Sequence, residues 1–152
     1  MIAVIDYGAG NVFNVLKACR YLGREAELTA DPQKISQADV VLFPGVGAFG
    51  AAMTRLKETG LDQVIKSTVA NGTPFLGICL GMQLLFDSST EFGSAAGLGL
   101  IPGQVVRIPD DDGQRIVPQV GWNQNELQRP ESIFKSIDRQ YTYFVHSYYA
   151  KC

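Results

Sequence analysis

The sequence is poor in the residues from which metal sites and disulfide frameworks are built. Its 152 residues include one histidine and three cysteines, Cys19, Cys79 and Cys152, and no CxxC spacing. An odd cysteine count with this spacing argues against both a disulfide framework and a structural zinc site. We therefore expect free thiols, no metal and no cofactor, with Cys19 packed in the core.

Long apolar runs and basic clusters are also missing. No apolar run approaches the ~20 residues that span a bilayer, and the first residues, MIAVIDYG, contain no basic stretch typical of a signal peptide. A net charge of −2 gives little reason to expect nucleic acid or an anionic membrane as a partner. With 46% apolar and 18% charged residues, the sequence predicts one globular, cytoplasmic domain over residues 1–152.

Strands alternate with helices in the first half of the chain. Apolar runs and helical periodicity predict strands at 2–5, 26–29, 38–43 and just before Cys79, and helices at 11–22, from the PGVG turn to 71 with a break at Gly60, and from Cys79 through Phe86. This alternation predicts an α/β fold with a mostly parallel sheet between helices. The second half predicts shorter strands at 105–108, 115–117, around GWN and at 141–149, some of them antiparallel, with a short helix at 131–137.

Three loops follow the predicted parallel strands, and ligands bind at that edge of such sheets. They are DYGAGN, PGVG and the turn at Cys79. DYGAGN lacks the third glycine of a dinucleotide fingerprint, because position 13 is Phe13, so we interpret it as a tight turn with Asn11 as helix N-cap. The DDDG stretch at 110–113 lacks the glutamate of a calcium loop and predicts a solvated hairpin turn.

Cys79 has the sequence context of a nucleophile. It lies between Gly77 and Gly81 at a strand-to-helix turn, as serine does in G-x-S-x-G. The amide of Leu80 would point at a developing oxyanion, and the turn containing Val46 and Gly47 would supply a second N–H. Gln83, one helical turn on, is either a substrate ligand or an ordinary exposed residue.

Together these motifs resemble the class I glutamine amidotransferases, whose elbow reads G-x-C-x-G-x-Q. Within that class, six stretches spread over the whole chain resemble the glutamine amidotransferase subunit of imidazole glycerol phosphate synthase: IDYGAGN, PGVGAFG, GICLGMQLLF, GLGLIPG, VGWN and FVHSYY. The resemblance implies a flavodoxin-like fold, glutamine as substrate and a (β/α)8-barrel cyclase subunit as partner. Ammonia, which leaves as a glutamyl thioester forms on Cys79, would pass to the cyclase. The cyclase converts a ribulosyl-formimino phosphoribosyl imidazole carboxamide to imidazole glycerol phosphate and the purine precursor AICAR in histidine biosynthesis.

The resemblance also assigns functional roles to individual residues. Gly47, Gln83, Glu91, Ser147 and Tyr148 match positions that hold glutamine. Positions at or near the face that meets the barrel are matched by Asn11, Asn14, Trp122 and Tyr143, although composition alone favours a core tryptophan.

One departure concerns the catalytic base. In this family the base is a histidine, followed two residues later by a glutamate, in a late F-H-P-E-type stretch that this sequence does not contain. His146 matches a different family position, and its strand context favours a structural, hydrogen-bonded role. We expect the chain to be a fragment without the His and Glu and to have little activity by itself. Two alternatives remain: a non-catalytic docking subunit, and a cysteine-elbow hydrolase or chaperone, in which the residue after the cysteine is commonly histidine rather than Leu80.

Overall fold

A computed structural model describes residues 1–110, 116–129 and 131–152. The chain forms two compact units, Met1–Val106 with Ala150–Cys152, and Arg107–Tyr149. Helices and strands alternate through the first 80 residues, in the order β1 (Ile2–Ile5), α1 (Val12–Tyr21), β2 (Ala26–Thr29), α2 (Pro32–Ser36), β3 (Val40–Gly45), α3 (Phe49–Glu58), α4 (Leu61–Ala70) and β4 (Phe75–Cys79). They are followed by α5 (Leu80–Gln83), β5 (Phe86–Ser89), β6 (Ala95–Ala96) and β7 (Ile101–Arg107).

The first unit is built on a parallel sheet with the strand order β2-β1-β3-β4. Its central strands are apolar on both faces: Val4, Ile5, Val41 and Phe43 are fully buried. Each such side chain contributes about 1.5–3 kcal/mol of burial free energy, and continuous apolar runs of this kind are typical of parallel strands covered by helices. The α/β prediction is confirmed, and the carboxyl ends of β1, β3 and β4 lie side by side.

Most predicted boundaries in this unit agree with the structure to within two residues. The predicted break at Gly60 separates α3 from α4, and Cys19 is buried, as expected. Asn11 occupies the N-cap position of α1 but makes no side-chain capping bond. Leu22, the last residue of the predicted helix, lies at the C-cap position of α1 and is exposed.

The helix predicted from Cys79 through Phe86 was wrong in length. Only Leu80–Gln83 is helical, and Phe86 begins β5, where it pairs with Ile101. The carbonyl of Leu84 accepts a hydrogen bond from Leu98 N at 2.9 Å, and the carbonyl of Leu85 accepts from Leu100 N at 2.8 Å. Pairing with this later segment therefore overrides the local helical pattern. The second sheet has the order β10-β7-β5-β6, where β10 is Tyr148–Lys151.

The second unit contains an antiparallel pair, β8 (Gln119–Gln124) and β9 (Tyr141–His146), and a 3₁₀ helix at Ile133–Ile137. The strand around GWN and the short helix were therefore predicted correctly. The strand predicted at 115–117 is absent at Ile116 and Val117, and position 115 lies outside the described residues. Of the predicted turn at 110–113, only Asp110 is described. No described helix combines the length and apolar character needed to cross a membrane.

Candidate active site

Cys79 occupies a strained turn between β4 and α5. Its φ of 56° and ψ of −119° lie outside the regions that non-glycine residues normally adopt. A conformation of this kind costs about 1–3 kcal/mol and persists only where the surrounding structure enforces it. The side chain is exposed at the end of the strand, which is the geometry of a nucleophile elbow.

Three glycines make the turn possible by allowing close backbone contact. A side-chain Cβ at Gly81 would overlap the carbonyl oxygen of Phe43 and lie 2.7 Å from its carbonyl carbon. At Gly77 a Cβ would lie 2.6 Å from the Cα of Met82. At Gly45 it would lie 2.7 Å from the amide nitrogen of Gly81. The elbow therefore fits against β3 only because all three positions lack a side chain.

The turn that follows β3 lies beside the nucleophile. Gly45 pairs in register with Cys79 at the ends of neighbouring strands, and Val46 and Gly47 come next in the chain. Both are exposed, and Gly47 has a φ of 101°, which glycine adopts readily. Leu80 is buried, and its backbone N–H is at the start of α5, where amides have no partner within the helix. This turn and Leu80 thus flank Cys79, the turn at the end of the neighbouring strand and Leu80 next in the chain.

Glu91 is tied to the same region by a hydrogen bond. Its Oε2 accepts from the backbone N–H of Phe49 at 2.7 Å. Phe49 is the first residue of α3 and follows Gly47 by two positions, so the carboxylate lies at the helix N-terminus, where negative charge is favoured. Gln83 is half-buried on the last position of α5. Among the predicted glutamine ligands, the first unit therefore holds Gly47, Gln83 and Glu91.

Ser147 and Tyr148, the other two predicted ligands, are half-buried residues of the second unit. The pKa of Arg107 is raised, chiefly by its hydrogen bond with Asp110 and to a smaller extent by Tyr148. His146 Nδ1 lies 2.8 Å from the carbonyl oxygen of Tyr148. Because a carbonyl only accepts, Nδ1 carries the proton in this contact, and the histidine has the hydrogen-bonded setting that its strand context predicts.

The predicted partner-facing residues are exposed in their respective units. Asn11 and Asn14 are exposed near the start of α1. On the β8–β9 hairpin, Trp122 is 67% exposed and pairs in register with Tyr143, their ring centroids 5.5 Å apart. The expectation of a core tryptophan from composition was wrong. The exposed face of this hairpin, which we call the aromatic hairpin face, consists of Val120, Trp122, Gln124, Tyr141, Tyr143 and Val145.

Sequence reasoning did not select Tyr7, which the structure places behind the elbow. Its side chain is 2% exposed, and its hydroxyl has no hydrogen-bond partner among the described residues. Burial, and secondarily the negative charge of a Cys79 thiolate, raise the pKa of Tyr7 to about 12. The only signal in the sequence was the position of a tyrosine directly after β1, in a turn otherwise made of small and polar residues.

Comparisons with known proteins place the chain in a family. The sequence profile of class-I glutamine amidotransferases matches residues 3–152. The imidazole glycerol phosphate synthase subunit HisH of Lactiplantibacillus plantarum is 58% identical over 152 residues, which are 100% of this chain and 73% of that protein. The HisH subunits of Streptococcus sanguinis and Listeria monocytogenes are 53% and 47% identical, over 98% and 100% of this chain and over 72% and 73% of their own lengths.

The fold agrees with this assignment. A solved glutamine amidotransferase structure superimposes with a TM-score of 0.73 at 17% identity, covering 100% of this chain and 75% of that one. It supports the expected flavodoxin-like arrangement of the parallel sheet and its helices. The chain therefore belongs to the class-I glutamine amidotransferases and, within them, to the HisH family.

Proposed function

We propose that this chain is the glutaminase part of an imidazole glycerol phosphate synthase, with Cys79 as its nucleophile. The observation that carries the proposal is the elbow: an exposed thiol on a residue held at a positive φ, beside the exposed turn at Val46 and Gly47. Relatives named as HisH at 47–58% identity support the same assignment. All three cysteines are free thiols, which suits a biosynthetic enzyme of the cytoplasm.

The chemistry is transfer of the glutamine acyl group to sulfur and then to water. The Cys79 thiolate attacks the side-chain amide carbon, the S–C bond forms, and the oxyanion receives hydrogen bonds from Leu80 N–H and from the turn at Val46 and Gly47. The amide nitrogen then takes up the proton that the thiol gave to the catalytic base, the C–N bond breaks, and ammonia leaves. Water attacks the thioester, releasing glutamate and restoring the thiol.

Glu91 and Gln83 would bind the polar ends of the substrate. The carboxylate of Glu91 suits the α-ammonium group of glutamine, and its bond to Phe49 N fixes it near the oxyanion turn. By the family resemblance, Ser147 and Tyr148 are also proposed ligands of glutamine. Each of these residues would bind the substrate without taking part in the bond-making and bond-breaking steps. Substitutions of these residues should therefore raise KM more than they lower kcat.

We propose that His146 is not the catalytic base. The proposal is supported by the sequence around it, because the family's base is followed two residues later by a glutamate and His146 is followed by Ser147 and Tyr148. The ring of His146 packs against Phe144 at 5.7 Å and bonds to the backbone at Tyr148. Those contacts are typical of a residue with a structural role that stabilises its strand.

The partner would be the barrel-shaped cyclase subunit, which receives the ammonia. Large exposed apolar patches mark interaction surfaces in soluble proteins, and tryptophan and tyrosine are enriched in interfaces. The aromatic hairpin face is such a patch in the second unit, and in the first unit the polar residues Asn11 and Asn14 are exposed. We propose that both contact the cyclase.

Glutamate release tests the proposal, measured on the protein at the length of its HisH relatives, assembled with its cyclase subunit and the cyclase ligand. Cys79→Ala should abolish release, while Cys152→Ser, which removes another exposed thiol, should leave it unchanged. A diazo-ketone analogue of glutamine should label Cys79 in a peptide map. Turnover that survives Cys79→Ala would refute the nucleophile assignment, and loss of turnover in His146→Gln with intact folding would return the base to His146.

A further inference from the structure

The hydroxyl of Tyr7 is a buried donor whose proton is not committed to any described acceptor. Tyr7 follows β1, and its ring packs against Phe43 with centroids 5.4 Å apart and planes at 52°. With 2% of its surface exposed, the side chain is fixed in the core. A buried polar group without a partner is rare in folded proteins and usually marks strain or function.

This hydroxyl lies against the base of the elbow. A Cβ built on Gly45 would lie 2.7 Å from Gly81 N and 3.0 Å from Leu80 Cβ, and the Tyr7 hydroxyl oxygen is closer still to the same point. Gly45 in turn pairs with Cys79 across β3 and β4. The hydroxyl is therefore one strand away from the nucleophile and packed against the first turn of α5.

The described charged groups near this loop are few. Asp6 accepts a hydrogen bond from Gly8 N at 3.0 Å, and the guanidinium of Arg55 packs against Gly8. Glu91 is held at the start of α3. Neither β3, from Val40 to Gly45, nor α5 contributes a charged side chain. Among the described residues, the negative charge that Cys79 would carry as a thiolate is the second cause of the raised pKa of Tyr7, after burial itself.

We propose that Tyr7 is a positioning residue for the nucleophile: its buried hydroxyl turns its proton towards Cys79 when the thiol ionises and so stabilises the thiolate. The inference rests on the proposed role of Cys79. A neutral hydroxyl can serve this purpose only while it keeps its proton. Tyr7 does so throughout the range in which thiols titrate, since thiols ordinarily ionise near pH ~8.5 and the pKa of Tyr7 is about 12.

The pH dependence of Cys79 alkylation by iodoacetamide tests this without requiring catalysis. The assay uses the chain with Cys152→Ser, and mass spectrometry of peptides separates Cys79 from the buried Cys19. Tyr7→Phe removes only the hydroxyl. Tyr21→Phe is the matched control, because Tyr21 is 90% exposed at the end of α1.

Tyr7→Phe should raise the pH midpoint of alkylation by about 0.5–1 unit, which lowers the rate at pH 7 about three- to tenfold, because a nearby proton donor no longer favours the ionised thiol. The melting temperature should stay equal or rise, because the variant loses an unpartnered buried hydroxyl. An unchanged midpoint in a folded Tyr7→Phe chain, or an equal shift in Tyr21→Phe, overturns the proposal. If the midpoint shifts but the assembled enzyme releases no glutamate, the glutaminase assignment fails and the role of Tyr7 stands.

Discussion

Replacing Gly81 by alanine isolates the steric requirement of the elbow. The added Cβ would overlap the carbonyl oxygen of Phe43 and lie 3.2 Å from the carbonyl carbon of Pro44. Both contacts are with the backbone of β3, so no side chain can rotate away to relieve them. Either the strand or the elbow must move.

The size of the effect follows from that geometry. Overpacking a core costs about 1–3 kcal/mol, and a clash with backbone belongs at the upper end. A loss of about 3 kcal/mol corresponds to a fall in Tm of roughly 6–12 °C for a chain of this size. Gly50→Ala is the control, since Gly50 is likewise the second residue of a helix and its Cβ would meet only Ala95 at 3.8 Å. We expect that change to stabilise by about 0.5–1 kcal/mol.

Urea unfolding of the two variants and the parent chain measures the difference, and iodoacetamide labelling of Cys79 reports whether the elbow has moved. Gly81→Ala should unfold at lower urea and show an altered labelling rate. Equal stabilities for Gly81→Ala and Gly50→Ala would refute the close contact between α5 and β3.

Three further outcomes are expected. The pKa of Tyr7 in the folded chain, about 12, lies above its ordinary value of 10.0. Its contribution to stability is therefore full below pH 10 and is lost as the pH rises through 12. Between pH 9 and pH 11 the free energy of unfolding, measured in urea, should fall less for Tyr7→Phe than for the parent chain, and equal falls would contradict this. Glu91→Gln should lower stability by only about 0.5–1 kcal/mol, through the lost charge at the start of α3, yet raise the KM for glutamine in the assembled enzyme; a change in Tm alone would leave Glu91 as a helix cap. Trp122→Ala should cost under about 1 kcal/mol of stability, because the side chain is already 67% exposed, but weaken cyclase binding at least about tenfold in calorimetry; unchanged affinity would remove the hairpin from the interface.

The strands and the elbow were predictable because local patterns and packing agree there. The apolar runs of β1 and β3 are buried in the sheet that they predict, and Gly77 and Gly81 flank Cys79 as the backbone geometry requires. Short turns between parallel strands also brought three loops to one edge, as topology dictates.

The segment after Gln83 was not predictable from its own residues. Leu84, Leu85 and Phe86 have helical spacing, but their backbone groups bond to residues 98–101, which no local pattern reveals. The burial of Trp122 was predicted wrongly, because composition favours a core tryptophan whereas strand alternation exposes this one. No prediction was made for Tyr7, whose burial after the end of β1 no local pattern reveals.

The position of β4 at the edge of its sheet bears on how the protein behaves in concentrated solution. Among the described strands, β4 pairs on one side only, and its Leu76 and Ile78 are each 37% exposed. The strand has no proline and no charged residue within Phe75–Cys79, the devices that proteins commonly use to protect an edge. In this 152-residue chain β4 is therefore an unprotected edge of the sheet, at which association between molecules is expected. A lysine in place of Ile78 is the change to make when the protein must stay monodisperse at high concentration.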